Sequence, residues 1–190
     1  MASAFSHAFS AWAIGKVLSA QKHGLKFWIL GMLCAIIPDA DVIGFYYGVP
    51  YHDMFGHRGF THSFFFSAIL GGLIPLLFYR RISIGSKAWW SLALYFFLCT
   101  ASHALLDALT NGGLGVALFA PFDGYRYFFP FRPVLVSPIH AAAFFSEWGV
   151  RVILSELKWI WFPCGLAVMA SYLIRLPSPL ADREEETMDE

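Results

Sequence analysis

The stretch AWWSLALYFFLCTASHALLD, residues 88–107, decides the fold class of this chain. It is long and apolar enough to cross the hydrocarbon core of a bilayer as one helix. Near its end His103 and Asp107 stand four positions apart, so the imidazole and the carboxylate share one helical face. Ionisable side chains at membrane depth are costly unless they pair, face water or bind metal. The stretch therefore predicts a transmembrane helix that carries polar site residues at one end.

The composition of the whole chain indicates the same class. Of 190 residues, 58% are hydrophobic and 14% charged, and the mean hydropathy is +0.59, which is more apolar than a typical soluble domain. The net charge is zero, and no basic stripe is present, so nucleic acid is excluded as a partner. Cys34, Cys99 and Cys164 lie in apolar stretches without a Cys-x-x-Cys spacing, which is typical of packing residues.

Four further apolar segments accompany the first one. Residues 62–79 and 157–174 are predicted to span the membrane fully. Residues 4–20 and 25–38 are predicted to be shorter, tilted or partly re-entrant helices, because polar side chains interrupt the first and a proline ends the second. The sequence thus predicts an all-α, multi-pass transmembrane bundle of about four to five helices.

The distribution of basic residues orients these helices. Lysines and arginines lie in the connection between the first two segments, in the connection before residue 88 and after the last segment. The positive-inside rule places these regions in the cytoplasm. Residues 108–155 then form a long, aromatic-rich loop region on the non-cytoplasmic side. Residues 1–176 are predicted to be the membrane-embedded domain, and residues 177–190 an acidic, disordered tail.

With this orientation, four helix ends deliver polar side chains to one membrane surface. The predicted metal ligands are His7, Asp39, Asp41, His57, His62, His103 and Asp107. Imidazole and carboxylate donors without a thiolate set suit Zn²⁺ first, with Mn²⁺ or Fe²⁺ as alternatives. There are enough ligands for one or two ions. Metal-assisted hydrolysis is the reaction class that this chemistry favours.

Three polar residues, two of them also predicted ligands, are assigned to catalysis. Asp39 and His62 are predicted to act in the reaction as well as near the metal. Arg58 is predicted to hold an anionic substrate oxygen through its guanidinium group, or else to pair with Asp39 or Asp53. Ser63 and Thr61 are predicted to cap the third helix rather than to act as nucleophiles.

Several motifs together carry a family resemblance. They are His7, PDAD (38–41), FGHRGFTHS (55–63), SHALLD (102–107), PF (121–122), RYF (126–128) and SEL (155–157). This series resembles the bacterial inner-membrane metal-dependent hydrolases of the YdjM type, also called the DUF457 group, over nearly the whole chain except the acidic tail. The resemblance implies a multi-pass inner-membrane protein with hydrolase activity, and it implies no particular substrate.

A more distant resemblance is to the zinc-dependent phospholipase C and P1 nuclease group. It implies that zinc is held by His7, Asp41, His57, His103 and Asp107, with Asp39 and His62 as ligands or as residues that support them. The chain lacks a second His-x-x-x-Asp/Glu pair, so one or two ions are expected rather than three. Glu156 is an additional candidate ligand.

The expected function is hydrolysis of a phosphoester or other ester of a lipid-like substrate at the non-cytoplasmic face. The first alternative is a metal-binding transporter or channel with the His/Asp cluster lining a path, and the second is a scaffold in which the cluster only fixes helix packing. A path needs polar residues at successive depths, whereas the predicted cytoplasmic halves are apolar. Membrane lipids are the expected partners, and the sequence gives no indication of oligomeric state.

Overall fold

The computed structural model describes residues 1–19, 23–139 and 141–176. Within these ranges the chain is helical and forms no named strand. Its elements are α1 (Ala4–Leu18), α2 (Leu25–Ile36), a 3-10 segment (Ile37–Tyr47), a 3-10 turn (Phe60–His62), α3 (Phe64–Phe78), α4 (Lys87–Ala108), α5 (Ala141–Phe144), α6 (Glu147–Glu156), a π turn (Leu157–Trp161) and α7 (Phe162–Ile174). The predicted acidic tail lies outside the described residues.

Three helical stretches are long and apolar enough to cross a membrane: Leu25–Tyr47, Lys87–Ala108 and Glu147–Ile174. The predicted all-α membrane fold is therefore confirmed. The prediction that 62–79 forms a full span was wrong, because α3 has 15 residues and is too short to qualify. The predicted short helix over 25–38 corresponds to α2, but the chain continues past Pro38 as a 3-10 segment, which lengthens the helical stretch to Tyr47. A proline in the first turn of a helix loses no hydrogen bond.

The last helical stretch begins ten residues earlier than the predicted 157–174. Ser146 caps α6 by accepting a hydrogen bond from Trp148 N, and Glu147 adds a negative charge at the helix N-terminus, where the helix dipole favours it. The π turn then joins α6 to α7 without a break. The charged residues of α6 lower its hydropathy, so a search for a continuous apolar segment does not include this helix.

The apolar core lies where α1, α2, α3 and α4 meet. Its buried members are Ala11, Phe27, Leu30, Cys34, Ala35, Ile74, Tyr95, Phe96 and Cys99. Gly31 of α2 lies directly against the Tyr95 hydroxyl and leaves no space there for a Cβ. The predicted packing role of Cys34 and Cys99 is confirmed by their burial in this core.

The two ends of the bundle differ in charge. Lys26 at the start of α2 donates to the Phe78 carbonyl at the end of α3, and Arg175 after α7 donates to the Lys16 and Val17 carbonyls at the end of α1. These contacts gather one set of helix termini into what we call the basic end. Its charged residues within the described ranges are Lys16, Lys26, Arg80, Arg81, Lys87 and Arg175. The opposite end, which we call the site end, carries His103 and Asp107.

Candidate metal centre

A buried cluster of four potential ligands occupies the site end. Its ligand atoms, one each from Asp39, His62, His103 and Asp107, all lie within 4.8 Å of one another. The 3-10 segment supplies Asp39, the 3-10 turn supplies His62, and the last turns of α4 supply the other two. We call these residues the first cluster. Three elements far apart in sequence thus bring two imidazoles and two carboxylates together.

A second cluster shares one imidazole with the first. Asp41, His57 and His62 also present ligand atoms within 4.8 Å of one another. His57 Nδ1 lies 2.7 Å from Asp41 Oδ1, and His62 Nδ1 lies 3.1 Å from Asp41 Oδ2. Thr61 Oγ1 and the Arg58 backbone N–H also donate to Asp41 Oδ2. Four groups therefore surround the Asp41 carboxylate, three of them at Oδ2.

The hydrogen bonds of His103 and His62 indicate where their lone pairs point. His103 Nδ1 lies 2.7 Å from the Ala35 carbonyl oxygen, which can only accept, so Nδ1 carries the proton and Nε2 the lone pair. His62 Nδ1 lies 3.1 Å from Thr61 Oγ1, whose own proton goes to Asp41, so this nitrogen also donates. The two Nε2 atoms then face each other at 3.0 Å, with Asp39 Oδ1 at 3.3 Å from the His103 Nε2. Lone pairs and a carboxylate that converge in this way are suited to a cation.

His7 and Asp39 supply buried atoms without hydrogen-bond partners. Among the described residues, neither ring nitrogen of His7 and neither carboxylate oxygen of Asp39 has one. The His7 ring stacks on His103 with centroids 3.7 Å apart, and its Nε2 lies 3.6 Å from Asp107 Oδ1. Buried polar groups are nearly always satisfied, so these four atoms point to a ligand that completes the site. His7 adjoins the first cluster and is a fifth candidate ligand.

The charges around the site leave a negative excess. Three carboxylates whose side chains are at most 9% exposed, those of Asp39, Asp41 and Asp107, face one buried guanidinium, that of Arg58. The Met1 amino group lies 4.0 Å from Asp107 Oδ2, but burial lowers its pKa and so favours the neutral amine. Burial lowers the pKa of His62, but the nearby carboxylates of Asp39 and Asp41 raise it to about 9, so a cation that binds its Nε2 displaces a proton. A divalent cation would balance the side-chain charges.

Arg58 is held entirely by protein atoms. Its Nε donates to Asp107 Oδ2 at 2.9 Å, its Nη1 to the Gly112 carbonyl at 2.7 Å, and its Nη2 to Thr110 Oγ1 at 2.9 Å. Its ion-pair partner is Asp107, rather than Asp39 or Asp53. This geometry positions Asp107, and the anion-holding role of Arg58 stays a prediction.

Glu156 is buried but takes no part in either cluster. It accepts hydrogen bonds from Ser3 N and Ser3 Oγ at 2.5 Å and from Ser6 Oγ at 2.7 Å, which anchors the start of α1. Ser63 caps α3 as predicted, by accepting from Phe66 N. Thr61 was wrongly predicted to cap it, because its hydroxyl is bound to Asp41.

The sequence interpretation missed the residues that fasten the loop around His57. Arg126 donates through Nη1 to the His57 carbonyl at 2.9 Å, and through Nη2 to the Tyr51 and Asp53 carbonyls at 3.0 Å. Thr110 and Gly112, which hold Arg58, were missed as well. No spacing rule marks such residues, because they act on backbone atoms that only the fold brings near.

The comparisons with known proteins agree with these observations. The chain matches the family described as YdjM inner membrane protein over residues 1–178. It is 35% identical over 169 residues to the inner membrane protein YbcI of Escherichia coli (strain K12), an alignment that covers 89% of this chain and 95% of that protein. No solved structure matches it. Its motifs, its helical fold and this match over most of its length show that the chain belongs to the YdjM family of inner membrane proteins.

Proposed function

We propose that this protein is a multi-pass, membrane-embedded, metal-dependent hydrolase that cleaves a phosphoester or other ester of a lipid-like substrate at the non-cytoplasmic face. The observation that carries the proposal is the convergence of unpartnered, buried histidine and aspartate atoms at one end of the bundle. Burying such groups within a membrane protein costs free energy, and they are found there mainly where they have a function.

We assign one ion to the first cluster, with His7 as a further ligand. The nitrogen and oxygen donors suit Zn²⁺, Mn²⁺ or Fe²⁺. A neutral imidazole offers one lone pair to a metal, so His62 can ligate an ion in only one of the two clusters. Its Nδ1 faces Asp41, and we therefore assign Asp41 to orienting the His62 ring. Carboxylates that hold a ligating histidine in this way are common around metal sites. His57 then supports Asp41.

The reaction requires an activated water and a proton acceptor. A bound divalent ion supplies Lewis acidity and lowers the pKa of water towards neutrality. Asp39 is the carboxylate suited to take the proton, because its oxygens have no partner among the described residues and it is the most exposed member of the first cluster, at 8%. His62 Nε2 lies 3.6 Å from Asp39 Oδ1 and, as a ligand, would hold the ion beside that carboxylate. Arg58 keeps Asp107 in place and offsets its charge.

The surface around the site favours an amphiphilic substrate. Tyr46, Tyr47 and Phe122 at the site end are each at least 80% exposed, and aromatic side chains are enriched where proteins meet the headgroup region of a bilayer. Ile37 and Ile43 flank the aspartates on the same 3-10 segment and are also exposed. A substrate with an acyl chain would meet this apolar surface and Asp39 together. The basic end supports the non-cytoplasmic orientation of the site.

The channel alternative is less well supported. Below the first cluster, between it and the basic end, the helices are packed around the apolar core that contains Phe27, Leu30 and Phe96. An ion path would need polar groups or water at these depths. A hydrolytic site needs access from one surface only.

Metal content and activity of matched variants test the proposal. We expect detergent-purified wild-type protein to hold about one equivalent of divalent metal per chain, and His103→Ala and Asp39→Asn to lose it. His52→Ala is the matched control, because His52 is exposed and belongs to neither cluster. Wild type and the control should hydrolyse phospholipids or model phosphodiesters until a chelator is added, and should recover when metal is returned.

Two outcomes would overturn it. Equal metal in His103→Ala and His52→Ala would remove the ligand assignment. Stoichiometric metal without cleavage of any phospholipid or phosphodiester would favour the transport alternative.

A further inference from the structure

Arg126 lies outside both clusters but holds the loop that carries His57. Its Nη1 donates to the His57 carbonyl at 2.9 Å, and its Nη2 donates to the Tyr51 and Asp53 carbonyls at 3.0 Å each. A longer contact of 3.5 Å joins Nη1 to the Gly115 carbonyl. Four carbonyl oxygens from two segments of the chain therefore converge on one guanidinium group.

The loop needs these donors because of the way it folds. Residues 50–60 form successive tight turns, in which Asp53 N donates to the Pro50 carbonyl and Gly56 N to the Asp53 carbonyl. A Cβ at Gly56 would overlap the Pro50 carbonyl oxygen, so the turns are closely packed. The Tyr51 and His57 carbonyls accept no backbone hydrogen bond from the described residues. The guanidinium group therefore supplies donors that the loop itself lacks.

The segment that carries Arg126 is fixed by backbone hydrogen bonds of its own. Val116 and Tyr127 form an antiparallel bridge and exchange hydrogen bonds of 2.9 and 2.8 Å. Next to this bridge, Ala117 N donates to the Arg58 carbonyl at 2.9 Å. Arg126 thus reaches the loop from a segment that also holds the residue after His57.

His57 connects this segment to the first cluster. Its Nδ1 lies 2.7 Å from Asp41 Oδ1, and Asp41 Oδ2 lies 3.1 Å from His62 Nδ1. The other ring nitrogen of His62 faces the first cluster. The Tyr51 ring packs edge-on against the His57 ring, with centroids 5.2 Å apart. Arg126 therefore holds both the backbone of His57 and one wall of its imidazole.

The geometry of the contacts favours arginine over lysine at this position. The hydrogen bonds of Arg126 go to carbonyl oxygens, which are neutral acceptors at fixed positions. A guanidinium group presents its donors in a rigid planar fork, whereas an ammonium group is a point charge on a flexible stem. A lysine would keep the charge but could not hold all of these carbonyls in the same arrangement.

We propose that Arg126 is a positioning residue for the metal centre, which sets the affinity for the ion by holding His57 so that Asp41 orients the His62 ring. Arg126 touches neither the ion nor the substrate. This role rests on the metal site of the proposed function, but it does not depend on the substrate or on hydrolysis. Without the clamp all ligands remain present, so the ion should bind more weakly rather than be lost.

The zinc affinity of the full chain in detergent tests this role, measured by competition with a chromophoric chelator. Residues that orient metal ligands typically contribute about 10- to 100-fold in affinity. Because Arg126 acts through His57, we expect Arg126→Gln to weaken zinc binding by roughly tenfold and Arg126→Lys to weaken it less. Arg132→Gln is the matched control, because Arg132 is exposed and its guanidinium group contacts Phe128.

A double-mutant cycle separates positioning from a general loss of stability. His57→Ala alone should weaken zinc binding by about 10- to 100-fold. If Arg126 acts through the His57 ring, Arg126→Gln should have little further effect in the His57→Ala background, since residues in one network are not additive. A purely structural role would give additive losses.

The outcomes distinguish this role from the metal site itself. Additive losses in the double variant, or wild-type zinc affinity in Arg126→Gln or in His57→Ala, would overturn the positioning role while leaving the metal centre intact. Absence of zinc binding by the wild type would overturn the metal centre. If Arg126→Gln fails to fold, Arg126→Lys takes its place in the cycle, and the same results decide.

Discussion

At the scale of single residues, Arg58 shows how much one buried side chain determines at the site end. Its backbone has a φ of 64°, a left-handed conformation that is uncommon outside glycine, and its side chain is fully buried. We expect Arg58→Met to leave Asp107 without its ion-pair partner and to lower the free energy of unfolding by about 3 kcal/mol or more. Denaturant unfolding in mixed micelles measures this.

Arg132 supplies the control for that experiment. Its exposed guanidinium lies 4.4 Å from the centroid of the Phe128 ring, a contact worth about 1 kcal/mol or less at such a position. Arg132→Met should therefore unfold almost like the wild type. Equal losses in the two variants would contradict the role given to Arg58.

Gly113 provides a second prediction at this scale. Its φ is +86°, and a Cβ there would lie 2.6 Å from Arg58 Nη1 and 2.8 Å from Tyr51 Oη. Gly85 has a similar φ of +79° but open space around it. Gly85→Ala should cost about 1 kcal/mol of unfolding free energy from backbone strain alone, whereas Gly113→Ala should cost more and reduce bound metal by displacing Arg58. Equal effects would show that the Arg58 contact is unimportant.

The sequence reveals the types of residue in the site better than their contacts. The seven predicted ligands all lie at the site end. They could be recognised in the sequence because a polar residue within an apolar segment costs free energy and is rarely present without a function. The pairing of Arg58 with Asp107 was not predicted, since 49 residues separate them and several carboxylates were equally plausible partners. The bond of Thr61 to Asp41 was missed for the same reason. Local spacing cannot rank partners that only the fold brings close.

At the scale of elements, α2 and α4 pack closely where Gly31 meets Tyr95. A methyl group at Gly31 would overlap the Tyr95 side chain, so we expect Gly31→Ala to push the helices apart and to cost about 1–3 kcal/mol of unfolding free energy. Gly72 of α3 has open space around it, and Gly72→Ala should stabilise by up to about 1 kcal/mol through helix propensity. Effects of the same sign in both variants would contradict this packing.

The contact between α1 and the α6–α7 stretch depends on Glu156. The π turn after it also brings Trp161 Nε1 to within 2.8 Å of Ser6 Oγ, so one irregular turn supplies two partners to α1. Glu156→Gln should lower the unfolding free energy by about 1–3 kcal/mol while metal content stays at the wild-type value. Glu147→Gln, at an exposed position, is the control. Loss of metal in Glu156→Gln would place this carboxylate in the site.

The presence of the helices could be predicted from the sequence, but the residues at which they begin and end could be predicted less well. Long apolar runs identified α4 and the neighbourhood of α3, because hydropathy reports directly on membrane burial. The extension from Pro38 to Tyr47 was missed because proline usually ends an α-helix, and here a 3-10 geometry continues it. The start of α6 was missed because Glu147, Arg151 and Glu156 make it polar.

At the scale of the whole molecule, a metal at the site end would join the 3-10 segment, the 3-10 turn and α4. A ligand that binds only the folded state raises stability in proportion to its concentration over its Kd. We therefore expect a chelator to lower the melting temperature of wild-type protein by several degrees. In His103→Ala the chelator should have no effect, and an equal shift in both proteins would mean that the metal binds elsewhere.

The first cluster itself is tested most directly by X-ray absorption at the edge of the bound metal. We predict a shell of nitrogen and oxygen ligands at about 2.0–2.2 Å, with the scattering pattern of imidazole, and its loss together with the metal in His103→Ala. A sulfur ligand at about 2.3 Å, or an unchanged spectrum in that variant, would contradict the assignment of Asp39, His62, His103 and Asp107 as the metal centre.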